Sequence, residues 1–308
     1  MKYIKCILFF LFIINPVFSE FSYNLKPLEI DKGVYVILGD NVGINSSNGG
    51  AISNTGFIIG EDKILVIDAG PSYMYAKEVI EIIRSISSLP IKYLVVTHHH
   101  PDHSFGISKY SELDIEIVIS DSELGRYKKY GKKLLNQMIN IVGEKWLENT
   151  KIIKLKNNNY KFPYTIDLGN HKIEVNYYRN GHSEGDLIVK DINNKIIFAG
   201  DIVFNERAPT IPHANIDNWS IYIDELIDSE WMVLIPGHGP LIYEKDKLYM
   251  TKRWINYIDE VAKNAVELGL SPAEVFEVGI SEEFKKYKLS YETWLRDLPL
   301  LMKKYEYE

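Results

Sequence analysis

The 308-residue sequence predicts an α/β fold. Short apolar, β-branched runs at residues 34–38, 53–59, 64–67, 93–96 and 116–119 alternate with helix-like stretches at 74–87 and 122–141. The second half repeats the strand signal at residues 172–178, 186–190, 195–199 and 232–235. In both halves, strand ends spill metal-competent side chains into the following loop, where open α/β sheets bind ligands.

The run 91–96 is apolar almost throughout and reads as a parallel strand buried on both faces. The helix at 74–87 groups Val79, Ile82 and Ile83, whereas one at 218–226 fits Trp219, Ile221 and Ile223 only loosely. The last third reads as helical, with stretches at 245–268, 272–278 and 291–305, the second started by Ser271 as its N-cap. No linker or low-complexity tract divides the chain, and Asn157-Asn158-Asn159 reads as a short turn.

Composition narrows the function classes. An apolar content of 46% supports a packed core and argues against disorder. A net charge of −7 excludes the basic stripe of a nucleic-acid surface, and Lys128, Lys129, Lys132 and Lys133 read as the solvated face of a helix. At the N-terminus, Lys2 and Lys5 precede an apolar stretch at 6–14 and a small-residue site ending in Ser19. This order predicts a signal peptide over 1–19, a single mature domain over 20–308, and a periplasmic or secreted location, with a retained anchor as the alternative. Cleavage would remove Cys6, the only cysteine, so the mature chain would have neither disulfides nor thiolate ligands.

The chemistry concentrates in Thr97-His98-His99-His100-Pro101-Asp102-His103. Nitrogen and carboxylate donors without thiolate suit Zn²⁺, with other divalent metals open. Three adjacent histidines could also be a solvated turn. Three further candidates lie downstream: His182 in Asn180-Gly181-His182, Asp201 in Ala199-Gly200-Asp201, and His238 in Pro236-Gly237-His238-Gly239. Each alone could be an ordinary turn residue, but together they repeat one pattern, in which a strand is followed by glycine and a ligand. Alternation along the loop turns His99 away from the other three, and His213 is not assigned as a ligand.

With these motifs in this order, the chain resembles the metallo-β-lactamase-fold hydrolases over residues 33–263. The resemblance implies an αββα sandwich of two mixed β-sheets flanked by helices, with metal at one edge between the halves. It places His98, His100 and His182 on one zinc, Asp102, His103 and His238 on a second, and Asp201 between them. It gives Asp68, at the end of Ile64-Leu65-Val66-Ile67-Asp68, the part of orienting a ligand from behind. Two zinc ions about 3.5–4 Å apart would clamp a hydroxide, and Asp102 would orient it or shuttle its proton.

Departures from the family narrow the expectation. Asp201 stands where the commonest two-zinc β-lactamases carry cysteine, and the lysine that grips the lactam carboxylate is missing from 202–207. Arg207 reads either as a substitute anion anchor or as a structural ion pair. His100 argues against the redox di-iron branch. The segments 200–209 and 236–240 resemble the exported zinc metallohydrolases associated with quinoprotein and sulfur-oxidation systems. The expected function is an exported binuclear zinc hydrolase acting on an ester, thiolester or amide-like bond of a small molecule. A β-lactamase and a non-catalytic metal-binding accessory protein are the alternatives, and a periplasmic quinoprotein is the candidate partner. The polar loop 43–50 is a candidate mobile flap over the metals, with an ordinary hairpin as its alternative, and residues 208–215 are a candidate opposite wall.

Overall fold

The computed structural model describes residues 21–306, and the expected signal peptide lies outside them. The first sheet opens as an antiparallel meander of β1 (Pro27–Asp31), β2 (Val34–Ile37), β3 (Thr55–Ile59) and β4 (Ile64–Ile67). Helix α1 (Tyr73–Ile86) then crosses to β5 (Ile91–Val95), which pairs parallel with β4. Two helical turns, α2 (Pro101–Ser104) and α3 (Ile107–Tyr110), lead to β6 (Glu116–Val118), parallel to β5, and then to α4 (Asp121–Val142).

The second sheet opens with β7 (Tyr164–Asp167), β8 (Lys172–Arg179), β9 (Gly185–Asp191) and β10 (Ile196–Phe198), each antiparallel to the one before it. Helix α5 (Ile216–Asp228) returns the chain to β11 (Val233–Ile235), parallel to β10. Helices α6 (Leu248–Glu267), α7 (Pro272–Val278) and α8 (Ser290–Tyr305) complete the fold. Among the described residues, no helix is long and apolar enough to cross a membrane.

The period-two alternation of the strands decides the layering. In β4, Leu65 and Ile67 face the second sheet and pack with Val175, Val189, Phe198 and Ile235. Ile64 and Val66 face the other way, toward Ala76, Val79, Ile80 and Ile83 of α1. The far face of the second sheet is covered by α5, α6 and α8 through Trp219, Trp254 and Trp294. The result is the expected αββα sandwich. Ser72 caps α1 by accepting from the Tyr75 N–H at 3.1 Å.

Element bounds shift slightly from those expected. Ser120 caps α4, one residue before the helix begins at Asp121. The helix expected from 245 starts at Leu248 after a 3₁₀ turn, Lys245–Lys247. Helix α5 buries Ile216, Trp219, Ile223 and Leu226, whereas Ile221 faces solvent, so a pattern that counted Ile221 fitted poorly. The loop expected as a flap is tied down. Asn48 Oδ1 accepts from the Asn45 and Gly50 N–H groups at 3.1 and 3.0 Å, and the Trp146 indole donates to Ser46 O at 2.7 Å.

Candidate metal centre

Two parallel pairs, β4/β5 and β10/β11, deliver their C-terminal ends to one edge of the sandwich. Asp68 follows β4, the 97–103 loop follows β5, Asp201 follows β10, and His238 follows β11. His182 reaches the same edge from the β8–β9 turn. All seven expected ligands converge there, and all are buried except His100, which is half-buried.

The centre has two halves joined by one carboxylate. Asp201 Oδ2 lies 3.3 Å from His182 Nε2 and 3.7 Å from His98 Nε2. His100 turns Nδ1 into the same half, 2.9 Å from His98 Nε2 and 3.2 Å from His182 Nε2. Asp201 Oδ1 faces the other half, 3.1 Å from His103 Nε2 and 3.3 Å from His238 Nε2. Asp102 Oδ2 closes that half, 3.4 Å from His238 Nε2 and 3.6 Å from His103 Nε2.

Glycines make this approach possible. A Cβ on Gly237 would fall 2.0 Å from Asp201 Oδ1. Gly239 has φ +92°, and a Cβ there would fall 1.8 Å from Asn205 O. This is the steric reason why glycine flanks His238 on both sides.

Partners behind the ligands fix their tautomers. His238 Nδ1 donates to Ile52 O at 2.8 Å, which leaves Nε2 as a lone-pair donor to the centre. His103 Nδ1 bonds Asp68 Oδ2 at 2.8 Å, with the same consequence. Asp68 is held in turn by the Thr97 N–H and hydroxyl, at 2.7 and 3.0 Å. His98 Nδ1 meets Thr97 Oγ1 at 3.1 Å. Ser53 ties the loop from outside by donating to Asp102 O at 2.7 Å.

The electrostatics fit a cation. Burial, reinforced by neighbouring imidazoles, pulls His98 and His100 well below the ordinary histidine value. Burial likewise brings His182 down to about 4. These rings are therefore neutral, the state a metal requires. Burial alone would raise Asp201, but His238, His103, His182 and His98 together hold its carboxyl well below the usual range. Burial would lower His103, yet Asp201, Asp68 and Asp102 overcome it and raise that ring. His103 Nε2 and Asp201 Oδ1 are also buried without a hydrogen-bond partner. Buried polar atoms in this condition are costly unless something pairs them, and an ion between them would. The donor set of imidazoles and carboxylates therefore suits two ions of the zinc type.

The sequence did not reveal Glu123. Its carboxylate, fully buried, takes the His99 backbone N–H at 3.0 Å and His99 Nδ1 at 2.5 Å. It also accepts from the Gly185 N–H at 3.0 Å, so it joins the ligand loop to the start of β9. In sequence it looks like any acid in the first turn of a helix. Asp186 lies close by, and burial pushes its carboxyl up to about 8. His213 also approaches the centre more closely than expected, with Nδ1 3.4 Å from His100 Nε2. Arg207 is buried, and its Nη1 donates to Val42 O at 3.1 Å, so the side chain is bound into the fold.

This sandwich with a histidine- and aspartate-lined edge defines a metal-dependent hydrolase architecture. Residues 48–238 match the family model of the metallo-beta-lactamase superfamily, and the chain belongs to that superfamily. Among characterised proteins it is similar to a metallo-beta-lactamase type 2 of Bacillus sp. (strain 170), 24% identical over 217 residues, covering 68% of this chain and 75% of that protein. It is equally similar to the acyl-coenzyme A thioesterase MBLAC2 of Gallus gallus, 24% identical over 235 residues, covering 68% of this chain and 79% of that protein. A metallo-beta-lactamase from Pontibacter korlensis shares its fold with a TM-score of 0.60 at 19% identity, over 75% of this chain and 99% of the other.

Proposed function

We propose that this chain is an exported binuclear zinc hydrolase acting on an ester, thiolester or amide-like bond of a small molecule. The observation that carries the reading is the Asp201 carboxylate, which turns one oxygen toward each of two ligand sets. Bound zinc would supply Lewis acidity and a hydroxide nucleophile at neutral pH. The chain's own residues do the rest. Asp201 and Asp102 balance charge between the two halves. Asp102, with Oδ2 3.4 Å from His238 Nε2, would accept and return a proton. Asp68, Thr97 and the Ile52 carbonyl keep the imidazoles in the binding tautomer. Relatives named for β-lactam and acyl-thiolester substrates support acyl transfer to water as the reaction class.

Export, and association with a periplasmic quinoprotein, belong to the same proposal. They are supported by the charged, apolar, small-residue order of residues 1–19 and by the motifs at 200–209 and 236–240.

Elemental analysis of purified protein, paired with nitrocefin, acyl-thiolester and aryl-ester assays, tests the reading. About two zinc per chain, with turnover of at least one substrate lost in Asp201→Ala, is the expected result. One metal or none, unaffected by Asp201→Ala, would overturn it.

A further inference from the structure

His99 is buried beside the centre yet belongs to neither half. One ring nitrogen from each of His99, His100 and His213 lies within 4.8 Å of the others. The three come from two separate segments, and His213 is exposed at the rim. His99 Nδ1 is committed to the buried Glu123 carboxylate, so Nε2 is the ring nitrogen that remains for another partner. A carboxylate behind an imidazole is the support that metal-ligating histidines use, and no ligand of the binuclear centre draws on Glu123. His100 turns Nδ1 inward to His98 and His182, and Nε2 outward to His213 Nδ1 at 3.4 Å.

We propose that His99, His213 and the outer nitrogen of His100 form a third transition-metal site at the rim of the centre, filled when metal exceeds what the centre holds. The all-imidazole donor set selects zinc, copper or nickel over magnesium and calcium. Binding there is antagonistic to the centre. A neutral imidazole carries one N–H, and with Nδ1 on the inner ion that proton sits on Nε2. An ion at the rim would need the Nε2 lone pair, so that proton would have to leave to solvent first. The outer site therefore binds more weakly than the inner ones, because two cations would repel each other across the shared His100 ring, and an ion there would narrow access to the centre. Excess metal is expected to inhibit.

The inference rests on the proposed centre only through His100. Zinc-loaded protein, titrated with further zinc by equilibrium dialysis and by calorimetry in two buffers of different ionisation enthalpy, tests it. The expected result is one further equivalent with release of one proton, absent from both His213→Ala and His213→Gln, which keep the metal of the centre. Inhibition by excess zinc should disappear in the same two variants. Saturation of the wild type at the content of the centre, or a further equivalent that survives in both variants, would overturn the proposal. Asp201→Asn separates the two sites. Zinc lost in that variant belongs to the centre, whereas an equivalent that depends on His213 alone stands even if the centre binds nothing.

Discussion

Asp68→Asn should weaken metal binding at one half of the centre while leaving the fold intact. Asp68 sits at φ 59°, a left-handed conformation that asparagine adopts as readily as aspartate, so the backbone at the end of β4 is not disturbed. The carboxylate serves two directions. Oδ1 accepts from the Thr97 N–H at 2.7 Å, and Oδ2 faces His103 Nδ1 at 2.8 Å. An amide has only one oxygen. If that oxygen stays on Thr97, the NH₂ group points at His103 Nδ1, and the ring must move its proton to Nε2. Nε2 is the atom aimed at Asp201 and Asp102, and once protonated it cannot ligate. If the amide flips instead, the Thr97 N–H faces another donor in a buried site, at a cost of about 1–3 kcal/mol. That cost disfavours the flip, and in the unflipped state affinity at the His103/His238 half should fall by about 10- to 100-fold, equivalent to about 1.4–2.8 kcal/mol. Competition against a chromophoric chelator reads the two sites separately. The expected outcome is one site at wild-type affinity and one weakened. Two sites of unchanged affinity would refute the reasoning and reduce Asp68 to a turn residue.

Gly237→Ala places a methyl group 2.0 Å from Asp201 Oδ1, so the shared carboxylate must move. A cost on the order of 1–3 kcal/mol in thermal unfolding is expected, with zinc content reduced in both halves, and wild-type zinc content would show that the β11 turn yields instead. Acid should destabilise the metal-free protein. His98, His100 and His182 are held below the ordinary histidine value of 6.5, the last at about 4, so the unfolded chain binds protons first as pH falls. Their contribution is full above about 6.5 and is lost as pH falls below it, for His182 down to about 4. His103 is raised and acts in the opposite sense, contributing below its unfolded value and losing that contribution as pH rises through its folded one. With these three rings against His103 and against Asp186, whose carboxyl burial raises to about 8, melting temperatures of chelator-treated protein should fall through that window. A melting temperature that rises on acidification would show that His103 and Asp186 dominate.

The cluster of candidate ligands was legible because each follows a strand that declares itself. Residues 91–95, 196–198 and 233–235 are apolar runs, and their C-terminal ends can only open into loops at the sheet edge. What escaped were β1 and β7, which lie at the outer edges of the two sheets. Strand β1 carries Pro27, Glu29 and Asp31 and is largely exposed, so it has no buried face to print an apolar alternation on the sequence. Strand β7 is four residues long, with Ile166 its only fully buried side chain. The loop 43–50, open in sequence between a flap and an ordinary hairpin, stayed undecided for a related reason. Its glycines and asparagines look mobile, but the asparagine side chains bond the loop's own backbone, and that closure depends on three-dimensional geometry.

His99 shows where reading along the chain stops being informative. Alternation through the loop turns it away from His98 and His100, and the structure agrees, since its Nδ1 meets Glu123 and not Asp201. That excludes a residue from one site without saying what it joins. Its partner lies 24 positions away in the first turn of α4, where an acid is favoured by the helix dipole alone. The helix explanation accounts for a carboxylate at Glu123 but not for its full burial, nor for its spending both oxygens on His99 and Gly185. A solvated acid at the start of a helix would give the same dipole benefit without the cost of desolvation. The buried arrangement is therefore better explained by what it holds: an imidazole fixed in one orientation, beside two other histidines, at the edge of the centre.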